Sequence, residues 1–76
     1  MQTTLVVQLG RAVRKLRIKQ NISQEEFAAL CNLHRTYISD VELGKRNLSV
    51  ENVERIAKAL GISVSMLFLE AENESI

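Results

Sequence analysis

The chain has 76 residues, a mass of 8.6 kDa and a formal net charge of +1, so it is one small domain. Its 46% hydrophobic residues exclude a fully disordered chain, a single Cys excludes an internal disulfide, and three aromatics without Trp force an aliphatic core. No apolar run approaches the ~18 residues of a membrane span, and Met1–Gly10 has neither a basic n-region nor a small-residue cleavage site. A reduced, cytoplasmic protein is expected.

The pattern is helical throughout, so the fold class is all-α, a compact five-helix domain. A first helix is expected from about Thr4 to Gln20, with Leu5, Leu9, Ala12 (or Val13) and Leu16 as its apolar stripe. Gly10 falls inside it and costs ~1 kcal/mol relative to Ala. Either a neighbour packs close there, or the helix begins later. Ser23 and Glu26 form the S-x-x-E capping box of a second helix with Phe27, Leu30 and Cys31 on its inner face. Asn32-Leu33-His34 breaks it, and Asn tolerates the left-handed turn required. A third helix follows from about His34 to Leu43, stopped by Gly44. Ser49 opens a fourth over Val50–Leu60, with Val53, Ile56, Ala57 and Leu60 inward and Gly61 as its stop. Ser63 caps a fifth from Val64 to about Leu69. The domain is expected to span 1–69, leaving 70–76 as an acidic, frayed tail.

Two helices joined by a three-residue turn make a helix-turn-helix. Ala28 is small where the helices cross, Asn32 accepts positive φ, and Leu33, Ile38 and Val41 pin the third helix. At ~100° per residue that helix divides in two. Ile38, Val41, His34 and Tyr37 cluster on one side; Arg35, Thr36, Ser39 and Asp40 cluster on the other. The second group suits base readout in a major groove: Arg35 for guanine O6 and N7, Thr36 for a thymine. Asp40 accepts from cytosine N4 or orients Arg35. Tyr37, at the edge, fills the core or touches phosphate or a flexible base step. Residues 1–22 carry five bases and no acid, while 61–76 carry three acids and no base. That asymmetry fits either a solvated helix face or a basic front on a polyanion with the acidic end away from it.

Cys31 and His34 are three apart, but no second Cys or His exists to complete a zinc site. Metal, cofactor, catalytic residue and small-molecule ligand are all expected to be absent. There is no phosphate-binding Gly loop and no nucleophile elbow.

The stretch Leu9–Phe68, through "SQEEFA", "RTYIS-VE-GKRN-S" and "IAKALGIS-S-LF", resembles the lambda-repressor-like Cro/C1-type (XRE) helix-turn-helix domain. With "HRTYIS" and "GKRN" in so short a chain, it looks most like the controller proteins of type II restriction-modification systems. Small phage and chromosomal repressors share most of these residues. The usual turn Gly is Asn32 here, and a Pro common after "KRN" is Leu48. The resemblance implies a transcriptional regulator that binds double-stranded DNA operators as a homodimer. It also implies control of its own gene and the endonuclease gene by blocking or recruiting RNA polymerase. By position it implies phosphate contacts from Gln24, and from Arg46 and Asn47 with Lys45 adding charge. It further implies an ion pair between Arg17 and Glu42 that orients the third helix.

Two modules on a two-fold axis read two half-sites and gain selectivity. Val64, Met66 and Leu69 are the candidate dimer interface, unless Val64 and Met66 close the core instead. The competing class is a protein-interaction module on the same fold, such as an antitoxin; near-neutral charge favours it.

Overall fold

The computed structural model describes residues 4–75. Five helices follow in order: α1 (Thr4–Lys19), α2 (Gln24–Cys31), α3 (Arg35–Glu42), α4 (Val50–Leu60) and α5 (Val64–Glu72). Four of the five starts are side-chain caps. Ser23 closes a complete capping box with Glu26; Ser49 and Ser63 accept from the backbone N–H groups of Asn52 and Met66 at 3.1 Å each. His34 stands outside α3 as its cap: Nδ1 accepts from the Thr36 N–H at 3.2 Å, so its ring is exposed rather than part of the inner face.

Phe27, Ile38, Ile56, Leu67, Val13 and Val41 are the largest fully buried side chains, drawn from all five helices. Each contributes about 1.5–3 kcal/mol of burial. On α1, Leu9, Ala12 and Val13 are buried and Leu16 packs against the core, while Leu5 stays 42% exposed. The whole predicted face of α4 is buried. Leu48, standing where a Pro is common, packs on the core.

Gly10 lies within an unbroken α1 because α3 ends against it. A Cβ there would overlap the Val41 carbonyl oxygen and stand 3.1 Å from that of Glu42. A backbone carbonyl has no rotamer to escape through. Gly10→Ala gains ~1 kcal/mol of helix propensity but loses more to the overlap, for a net destabilisation of about 2 kcal/mol. Thermal unfolding should show a midpoint lower by roughly 10 °C.

The C-terminal end corrects the expected boundary. Helix α5 continues past Leu69 to Glu72, and Ala71 is completely buried. Residues 73–75 then fold back on α1. Gln8 Nε2 donates to the Glu74 carbonyl at 3.0 Å, Arg11 Nη1 to the Ser75 carbonyl at 2.6 Å, and Lys15 pairs with the Glu74 carboxylate at 3.4 Å. Gln8, Arg11 and Lys15 share one face of α1 by their spacing of three and four. The acidic end thus meets part of the basic front instead of lying away from it. Ile76 falls outside the described residues.

Candidate nucleic-acid interface

Helices α2 and α3 are joined by a turn that depends on Asn32, which sits at φ 57° and ψ 42° with its N–H on the carbonyls of Ala28 and Ala29. Asn is among the few non-glycine residues that visit this region routinely. The buried Ile38 and Val41 fix the rotation of α3, so Arg35 and Thr36 are exposed on its outer side, with Ser39 and Asp40 half-exposed. Arg35 has no hydrogen-bonding or ionic partner among the described residues. Its five donors are available to a ligand.

Behind this face lies a buried ion pair. Arg17 Nε donates to Glu42 Oε2 at 2.7 Å and Nη2 to Oε1 at 3.0 Å, a bidentate fork, while Nη1 donates to the Ile22 carbonyl at 2.8 Å. Both residues are only 7% exposed. Hydrogen bonding to Glu42 raises the Arg17 pKa further above its ordinary value, outweighing burial, so the guanidinium stays charged. Gln24 completes the group: its Nε2 donates to Glu42 Oε1 at 3.0 Å. The Gln24 side chain, for which the resemblance implies a phosphate contact, is turned inward by this bond. A Gln at the first position of α2 beside an expected Arg–Glu pair was the available signal.

Arg17, Ser23, Gln24, Glu25 and Arg35 line one open depression at the N-terminus of α2. The Ser23 hydroxyl takes the Glu26 N–H. The Gln24 and Glu25 N–H groups precede the first intrahelical bonds and point outward, where an anion is favoured.

Asp40 pairs with neither Arg35 nor a core group. Its Oδ2 accepts from Arg46 Nη2 at 3.5 Å. Arg46 lies over the Tyr37 ring, 4.8 Å from its centroid, and the Tyr37 hydroxyl accepts from Asn52 Nδ2 at 3.0 Å. Tyr37 is therefore half-buried and occupied at both ends. Lys45 begins the loop with its N–H on the Asp40 carbonyl at 2.9 Å, and Asn47 is exposed beside an apolar hollow lined by Leu5, Leu9, Leu48, Val53 and Phe68.

The candidate dimer residues divide. Met66 and Leu69, 44% and 51% exposed, lie about 60° apart on the outer face of α5. Val64 is exposed too, but at about 140° from Leu69, on the side nearer the core. Cys31 is buried, and that burial pushes its thiol up to about 11. Among the described residues, no group of three His, Cys, Asp or Glu is placed to hold a metal, and no helix is long and apolar enough to cross a membrane.

This combination, an outward α3 face pinned against a capped α2, defines a helix-turn-helix DNA-binding protein. A helix-turn-helix family model matches residues 13–67. Control protein C.BamHI of Bacillus amyloliquefaciens is 51% identical over 63 residues, covering 82% of this chain and 78% of its own length. Control protein C.MunI of a Mycoplasma species is 48% identical over 69 residues, covering 90% and 93%. Among solved structures, the restriction-modification controller protein C.AhdI from Aeromonas hydrophila superposes with a TM-score of 0.79 at 40% identity, covering 82% of this chain and 94% of that one. The chain belongs to the helix-turn-helix family of transcriptional regulators, among the restriction-modification control proteins.

Proposed function

We propose that the protein binds palindromic operators as a homodimer and controls its own gene together with that of a restriction endonuclease. The observation that carries this reading is the α3 surface, where Arg35 and Thr36 stand exposed while the opposite side is buried. Base readout is assigned to Arg35, Thr36 and Ser39. Gln24, at the α2 N-terminus, and Lys45, Arg46 and Asn47 are assigned to phosphates. Tyr37 takes part through Arg46. The outward pair Met66 and Leu69, with Val64 at its margin, is assigned to the second protomer. RNA polymerase is the further partner, blocked or recruited according to where the dimer sits. The protein works in the cytoplasm, on the nucleoid, with no catalytic step of its own.

The test is binding to DNA from upstream of the protein's own gene, with excess nonspecific competitor, across a salt series. The expected result is nanomolar, dimeric, competitor-resistant binding, with a log–log salt slope of about −0.9 per phosphate contact. Weak binding removed equally by any duplex would instead favour the protein-interaction module. Besides the near-neutral charge, the tail bound along α1 supports that alternative, since it occupies Arg11 and Lys15.

A further inference from the structure

The cluster Asp40–Arg46–Tyr37–Asn52 is not explained by base readout or by core packing. It runs from the exposed side of α3, through the loop after it, to the first turns of α4. Its components differ in strength. Asn52 anchors the Tyr37 hydroxyl in a half-buried position at 3.0 Å. The Arg46–Asp40 contact is a single 3.5 Å approach between side chains 46% and 32% exposed. Such a pair is weak in water, far weaker than an arginine set against the dense charge of a DNA backbone. The cluster therefore has a firm base, Tyr37 fixed by Asn52, and a loose top, Arg46 resting on that ring with a carboxylate for company.

We propose that Asp40 acts as a counter-charge on Arg46: it holds the guanidinium over Tyr37 in the free protein, and Arg46 exchanges it for a DNA phosphate only when α3 is seated in the groove. This rests on the DNA-binding reading above. Asp40 is then a specificity-determining residue that touches no base. A duplex that meets the protein loosely finds Arg46 partly screened by the carboxylate beside it. A duplex that admits α3 brings a phosphate close enough to displace the carboxylate. The electrostatic share of binding that every DNA sequence offers is reduced, and the share that depends on fit is kept.

The test compares wild type with Asp40→Ala, Asp40→Glu, Arg46→Ala and the Asp40→Ala/Arg46→Ala double variant. Each is titrated with an upstream fragment and with a scrambled duplex over a salt series, and thermal unfolding confirms the fold. For D40A the expected result is roughly fivefold tighter binding to the scrambled duplex, with a salt slope steeper by about one contact and an unchanged slope on the upstream fragment. D40E, which still reaches Arg46, should behave as wild type. In the R46A background, removing Asp40 should no longer change the slope, a coupling that a merely structural role would not produce. A D40A protein that loses upstream affinity about tenfold, with its scrambled binding unchanged, would make Asp40 a base reader and overturn the proposal. A D40A protein indistinguishable from wild type on both duplexes would overturn it as well, leaving the regulator reading intact. A folded wild type that binds neither duplex would remove both.

Discussion

Glu42→Ala is expected to leave the protein largely unfolded under conditions where the parent is folded. The substitution leaves the Arg17 guanidinium buried with one remaining acceptor, the Ile22 carbonyl, and also frees the Gln24 amide. Removing one partner of a buried pair costs about 3–5 kcal/mol. A domain of this size has ~3–5 kcal/mol from its core to lose. Replacing both partners with apolar residues, Arg17→Met with Glu42→Leu, removes the stranded charge and should restore most of the stability. Urea unfolding of the three proteins checks this: a lost transition for the single variant and a recovered one for the double. A single variant that unfolds within about 1 kcal/mol of the parent would show that the pair is not what holds α3. The double variant also separates stability from positioning. Its α3 would lack the fork that sets its angle, so weaker DNA binding by a folded protein would assign the pair an orienting role.

Arg35→Ala should have the opposite signature. Arg35 is exposed and has no hydrogen-bonding or ionic partner among the described residues, so its truncation should move stability by less than about 0.5 kcal/mol. A bidentate arginine–guanine contact discriminates by about 1–3 kcal/mol. On a palindromic site the loss is taken twice, so affinity for the upstream fragment should fall by roughly two orders of magnitude while the residual binding to scrambled DNA persists. The affinity ratio between the two duplexes, measured at one salt concentration, is the readout. An unchanged ratio would remove Arg35 from base readout and, with it, the orientation assigned to α3.

How much of this was legible in the sequence follows from how local each signal is. Ser23, Ser49 and Ser63 announce helix starts because a cap acts over three residues, and all three caps are present. Asn32 announces its turn for the same reason. The alternation on α3 placed Ile38 and Val41 inside with Arg35 and Thr36 outside, since a helix has a single rotation that buries its apolar stripe. What the sequence did not show depends on residues far apart in the chain. Asp40 could not be matched to Arg46 without the path of the loop. The inward bond of Gln24 needed the depth of Glu42. The expected end of α5 falls short of the actual one because Glu70, Glu72 and Glu74 look like a solvated run in the sequence. Only Ala71, small and between two acids, marks the buried face of that last turn. Gly10 left two alternatives open, and the carbonyl of Val41 chose between them.

The bond between Arg11 and the Ser75 carbonyl also bears on the order in which the molecule forms. Helix α2 packs on α3 and α4, and α4 on α5, whereas α1 packs mainly on α5 and next on α3, across more than 60 residues at the extremes. Closing so long a loop is entropically unfavourable until both ends have surfaces to offer. During synthesis α1 emerges well before α5 and lacks its main packing partner until α5 arrives. The α1 side of the Arg17–Glu42 fork and the support of Gly10 under α3 are thus at hand early, but the wall that holds α1 in place comes last. A nascent chain should therefore acquire a rigid α3 only once α5 has emerged.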